Sequence, residues 1–273
     1  MSKKTLVIAN LLILLLSCRS SSLRLSQDVA DRQLASGDLN AALQSYEALA
    51  AQAEAPERKA ALWFRAAEVA AALTQFEQAL TYYQKAAHQV PFSELSQTAS
   101  QRRAELFSEL GNAEAMITEY AQLVKHFPKS QQVYLYRLRM SEGNLMLGHF
   151  HESLRELENL YQDPHLPEQM KETVFFNAAE LYFLDGKFQQ AMTAYSSFLQ
   201  NFPHSTLAGE AHLKLASVLE RMGQLGMAYQ AAQPAAELYP NKSVVELRLK
   251  NLRENMTRPA TKTLPPVQPK KTK

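Results

Sequence analysis

WFRAAEVAAALTQFEQALTYYQKAAHQVP, residues 63–91, holds the pattern that decides the fold. Trp63, Ala67, Phe76, Ala79, Tyr83 and Ala86 stand at helical spacings on either side of a break at Thr74, and Pro91 closes the stretch. The closing phrase recurs outward along the chain as PFSELSQTA, FPKSQQV, FPHSTLA and YPNKSVV. Its prolines, Pro91, Pro128, Pro203 and Pro240, lie 37, 75 and 37 residues apart, with Pro164 one residue early in the missing slot. A fixed period of this length marks a supersecondary unit repeated along the chain, and six units tile residues 23–240.

Aligning the units exposes columns with physical meaning. Gly37, Gly111, Gly148, Gly186 and Gly223 share one column with Thr74, so five of the eight glycines stand where one helix must end and the chain reverse. Seven residues earlier come Ala30, Ala67, Ala104, Ser141, Ala179 and Ala216, and five residues later Ala42, Ala79, Met116, Ser153, Ala191 and Ala228. Small residues in facing columns let two helices pack closely. Tyr46, Tyr83, Tyr120, Leu157, Tyr195 and Ala232 form a mostly bulky column that fills the space toward the next unit. Each unit reads as a helical hairpin that buries its apolar face only by stacking on neighbours. Valine and isoleucine, which favour strands, are sparse, and an all-α chain follows.

These columns resemble the tetratricopeptide repeat (TPR) over about four fifths of the chain. The resemblance implies a TPR α-solenoid, a right-handed superhelix of hairpins whose first helices line a concave groove for protein partners. Thr74 departs from the family's turn glycine, Glu54 from the first unit's proline and Ala232 from the last unit's aromatic. Ser93, Ser130 and Ser205 follow the prolines and are expected to cap the next helices.

At the N-terminus, Lys3 and Lys4 precede a run from Leu6 to Leu16 that is apolar except for Asn10. Eleven residues are too few to span a bilayer, which takes about 20, and the pattern reads as an export signal. Leu15-Leu16-Ser17-Cys18 resembles the bacterial lipobox. That resemblance implies cleavage before Cys18, with residues 1–17 a lipoprotein signal peptide and 18–22 a lipid-anchored linker. No cofactor is expected beyond the covalent diacylglycerol and N-acyl lipid on Cys18. Arg19 stands where an inner-membrane retention signal has Asp, which implies the outer membrane with the body facing the periplasm. The long unit, the FPxS phrase and the lipobox together resemble outer-membrane lipoproteins of the BamD and CpoB types. A third resembling group is the pilotins of type IV pili. The partners so implied are the β-barrel assembly machinery first, then a secretin, or cell-wall synthesis and division proteins.

After Pro240, residues 241–257 carry Val245, Leu249, Leu252 and Met256 at helical spacing and read as the capping helix that solenoids need. Residues 258–273 hold four prolines, five basic residues and no acid, and are expected to form a disordered basic tail. The whole chain has 29 basic and 27 acidic residues, so its solenoid is mildly acidic once both ends are set aside. Nucleic acid is excluded as a partner by that balance.

An acidic column runs along the first helices as Asp31, Glu68, Glu105, Glu142 and Glu180, with Arg65, Arg102 and Arg139 three residues before the middle three. It reads either as the rim of a partner groove or as a set of ion pairs, each worth at most about 1 kcal/mol. Phe64, Leu138, Leu145, Phe176 and Phe183 share the face of this column. They form either an apolar groove patch for a peptide or ordinary packing between hairpins. His149 and His151 supply two ligands without a third nearby, so no metal site is expected. No nucleophile, zincin or phosphate-loop motif occurs, and the chain is expected to be a binding protein and not an enzyme.

Overall fold

The computed structural model describes residues 27–257, in two units that meet at Gly148 and His149 in the sequence. The predicted signal peptide, Cys18 and basic tail lie outside the described residues. The first unit holds α1 (residues 27–35), α2 (Leu39–Gln52), α3 (Pro56–Ala72), α4 (Phe76–Gln89), α5 (Glu94–Glu109), α6 (Ala113–His126) and α7 (Val133–Met146). The second holds α8 (Phe150–Gln162), α9 (Glu168–Leu184), α10 (Phe188–Asn201), α11 (Ala208–Arg221), α12 (Leu225–Ala232), α13 (Ala235–Leu238) and α14 (Lys242–Thr257). No strand occurs among the described residues. From α2 onward, packing within each unit is chiefly between helices next to each other in the chain, which is the arrangement of a helical solenoid.

The columns read from the sequence are the core. Ala30, Ala67, Ala104, Ala179 and Ala216 are fully buried, with Ser141 nearly so, and Ala42, Ala79, Met116, Ser153, Ala191 and Ala228 are equally buried. Tyr46, Tyr83, Tyr120, Leu157 and Tyr195 fill the space beyond, and Ala232 is buried in the same column. At the end of the chain, Val245 and Leu252 of α14 are fully buried, while Met256 is exposed. The polar side of α14 is tied to α11 by Arg248, which reaches Glu220 at 2.7 Å and the Ser217 hydroxyl at 3.1 Å.

The turn column works through left-handed backbone. Gly37, Gly111, Gly148, Gly186 and Gly223 have φ between +70° and +82°. At Gly111, its own N–H reaches the Ser108 carbonyl and the Asn112 N–H reaches Phe107, which closes the end of α5. Thr74 makes the same pair of bonds, to Ala71 and from Gln75 to Ala70, but with φ +60° on a β-branched residue. That conformation costs about 1–2 kcal/mol for a side chain other than glycine.

The serines of the connections divide. Ser93 caps α5, its hydroxyl accepting the Ser96 N–H at 3.0 Å. Ser130 and Ser205 do not cap α7 and α11. Their hydroxyls accept the N–H two residues on, Gln132 and Leu207, both at 3.1 Å, and the helices begin later, at Val133 and Ala208.

Thr74→Gly relieves the one strained turn of the column and is expected to raise stability by about 0.5–1 kcal/mol, glycine's entropy offsetting part of the gain. Gly111→Ala, whose new Cβ meets nothing within 4 Å, is expected to lose about 1 kcal/mol through backbone alone. Urea unfolding of both variants measures the pair.

Candidate partner-binding faces

The acidic column is held by the tyrosines of the second helices. The Tyr46 hydroxyl donates to Asp31 at 2.5 Å, that of Tyr83 to Glu68, and that of Tyr195 to Glu180 at 2.7 Å. Donor and acceptor stand fifteen residues apart each time, because the turn brings the same two positions of each hairpin together. Where Ser217 replaces the acid, Ala232 replaces the tyrosine.

Basic residues complete the column. Arg102 reaches Glu105 in its own helix at 3.1 Å and Glu68 of the preceding repeat at 3.8 Å. Arg139 holds Glu142 at 2.6 Å, and Lys214 of α11 holds Glu180 of α9 at 2.6 Å. Each acid of the column therefore has a partner in its own unit, and the column is a zipper within and between repeats. The glutamate side chains keep 22 to 38% exposure, so the zipper lies at the surface.

This setting raises the tyrosines. Burial and then the bond to Asp31 push Tyr46 up to about 12, and burial with the neighbouring Glu105 does the same to Tyr120. Burial and their carboxylate partners drive Tyr83 and Tyr195 upward as well. All four stay protonated at neutral pH.

The apolar candidates are mainly packing. On α7, Leu138 is 5% exposed and Leu145 half-buried; on α9, Phe176 is 7% exposed, its ring 5.7 Å from Tyr195 and 5.5 Å from Phe198. Leu138 and Phe176 are thus core residues and not an open groove patch, and the rings of Tyr195 and Phe198 on the next helix close over Phe176. Phe183 is half-buried against Phe188, and Phe64 lies edge-on to Tyr83 at 5.7 Å.

A feature that the sequence reading passed over lies between the second and third repeats. A cleft of about 450 Å³ opens between α4, α5 and α6, lined by Ser96, Ser100, Arg103, Glu119, His126 and Phe92 among others. Arg103 pairs with Glu119 at 2.7 Å, and both are largely buried, at 22 and 16% exposure. Desolvation raises the Glu119 carboxyl despite the nearby Arg103 and His88. The available signal was Ser100, which stands eleven residues before its turn, where the second unit has Trp63 and the fifth has Phe175.

The sequence profile of the tetratricopeptide repeat matches residues 60–93, 98–130 and 173–205. Among solved structures, the C-terminal part of a TPR repeat-containing protein from Cytophaga hutchinsonii aligns with a TM-score of 0.60 at 14% identity, over 84% of this chain and 85% of that one. The MamA protein aligns with a TM-score of 0.53 at 14% identity, over 68% of this chain and 94% of its own. No protein with a curated description matches in sequence. Three stretches of the chain thus match the tetratricopeptide repeat, and its fold is that of TPR solenoids.

Tyr195→Phe removes a donor to a carboxylate and is expected to cost about 1–2 kcal/mol, whereas Tyr161→Phe, at an exposed ring, changes little. A raised tyrosine stabilises the fold below the unfolded value of about 10. Stability is therefore expected to hold to that pH and to fall as pH rises through about 12. Denaturant midpoints from pH 7 to 12 check both expectations.

Proposed function

We propose that this chain is a lipid-anchored scaffold of the bacterial cell envelope, attached through Cys18 to the outer membrane and facing the periplasm, where its repeats hold components of outer-membrane protein assembly. The observation that carries the reading is the combination of a repeat scaffold with Leu15-Leu16-Ser17-Cys18 behind a short basic and apolar segment. A thiol is the nucleophile that takes a thioether-linked glyceride, and two or three acyl chains anchor stably where one does not. Among the described residues no helix is long and apolar enough to cross a membrane, so in this reading the lipid supplies the attachment.

The role is non-catalytic: what the repeats offer is surface. With the first-helix acids engaged by tyrosine, arginine and lysine, partner choice falls to side chains outside that zipper. The unit-length and lipobox resemblance to BamD-type lipoproteins favours the β-barrel assembly machinery as partner over a secretin or cell-wall synthesis proteins.

Cys18→Ala is expected to move the protein from the membrane to the soluble fraction and to abolish incorporation of labelled palmitate; unchanged fractionation contradicts the anchor. Affinity purification from detergent-solubilised envelopes is expected to recover the β-barrel insertase. Recovery of a secretin or of division proteins instead reassigns the scaffold, and recovery of no envelope protein overturns it.

A further inference from the structure

The cleft between α4, α5 and α6 lies at a place between hairpins where two other units of the chain, the second and the fifth, carry a ring. In the second unit, Trp63 stacks on Tyr82 at 5.2 Å, and Lys85 Nζ sits 4.3 Å over the indole, so aromatic side chains fill this place between hairpins. In the fifth unit Phe175 stands there, with Tyr161 edge-on at 5.1 Å and Phe202 at 6.1 Å, and leaves a smaller pocket of about 170 Å³. In the third unit the corresponding residues are Ser100 and Glu119, each at the same distance from its turn, while the fourth and sixth units carry Arg137 and His212 in the column of Ser100. With a serine where the second and fifth units have a ring, the opening here reaches about 450 Å³.

Two further observations point outward from that opening. Arg103 Nε is buried with no hydrogen-bond partner, although the same guanidinium pairs with Glu119 and lies 5.4 Å from the Phe107 ring. A buried donor without an acceptor is unfavourable and calls for one. Phe92, at the cleft, is 70% exposed and holds φ +62°. Its turn is closed by Ser93 N–H to the Val90 carbonyl, as Ser130 closes on Phe127 and Ser205 on Phe202. Lys129 and His204, in the matching position of those turns, are not among the described residues with positive φ. A bulky residue in left-handed backbone, presented to solvent and edge-on to His126 at 5.3 Å, is strain of the kind found at binding sites.

We propose that this cleft binds an aromatic side chain from a segment of a partner protein, the ring lying over Ser96 and Ser100 beside Phe92, with Arg103 Nε donating to a carbonyl of the same segment. The Arg103–Glu119 pair is internally neutral, which suits an uncharged ring and amide better than an anion. At about 450 Å³ the cleft is within the size range of ligand pockets, roughly 300–1,000 Å³. The inference rests on the scaffold reading above, since it names the chemistry by which the scaffold grips a partner.

The test titrates the full chain with N-acetyl-L-phenylalaninamide and, as control, N-acetyl-L-leucinamide, following saturation-transfer NMR. The phenylalanine amide is expected to bind saturably and better than the leucine amide. Ser100→Phe, which restores the chain's own ring as at Phe175, is expected to weaken binding by about tenfold or more while the melting temperature holds or rises. Phe92→Ala, at an exposed position, and Arg103→Lys, which lacks Nε, are expected to weaken it several-fold with helicity unchanged. No saturable binding, equal binding of the leucine amide, or equal affinity in all variants overturns the proposal. Partner recovery from envelopes separates the two readings. Partners lost only in Ser100→Phe support the cleft, and partners retained there overturn it while the scaffold stands. An absence of partners from wild type as well overturns the scaffold, leaving the cleft to be judged on the amide titration.

Discussion

Close approach of two helices, permitted by Ala or Ser in one column and mostly Ala or Ser in the facing one, is the constraint on which the rest of the structure depends. A hairpin of this kind has little core of its own. Its two helices touch through side chains such as Ala67 and Ala79, which are fully buried yet contribute little apolar area each. The larger contribution comes from the rings and aliphatic chains beyond them: Tyr46, Tyr195, Phe198 and Leu62 are all buried to below 3% exposure. Burial of such a side chain is worth roughly 1.5–3 kcal/mol. Repetition is therefore a physical necessity, and α14 serves at the end by placing Val245 and Leu252 where another hairpin would go.

The tyrosines that supply this burial bring a polar hydroxyl with them, and the hydroxyl explains three acids of the column, Asp31, Glu68 and Glu180. A buried phenol needs a partner. In the first, second and fifth repeats the partner is a carboxylate fifteen residues earlier, and that carboxylate in turn requires a cation or water. Arg102 and Lys214 answer from the following repeat, so one chain of contacts ties packing within a hairpin to pairing between hairpins. What looks in sequence like a charged face is, in the fold, the polar edge of the core.

Legibility followed the same physics. Columns set by size and by backbone hand were plain in the sequence, because only glycine takes φ near +75° without cost and only small residues fit between close helices. Even the exception, Thr74, follows the column in its backbone. Side-chain destinations were harder. Phe176 shares a helical face with Glu180, yet Tyr195 and Phe198 of the next helix cover it, and a one-helix projection does not show what the neighbour covers. Ser130 and Ser205 matched Ser93 by position but not by role, since the connection turns once more before α7 and α11 begin. The cleft was hidden for a related reason: its column holds a large ring only at Trp63 and Phe175, with Arg137 and His212 in other units, so Ser100 breaks no pattern that the sequence shows.

The central claim is that the first-helix acids hold repeats together and leave partner recognition to other surfaces. The most direct measurement is thermal unfolding, alongside recovery of envelope partners, for the triple variant Glu68→Gln, Glu105→Gln and Glu142→Gln. The account predicts a lower melting temperature with partner recovery per folded molecule unchanged. An unchanged melting temperature with partners lost would contradict it and return the acidic column to the partner groove.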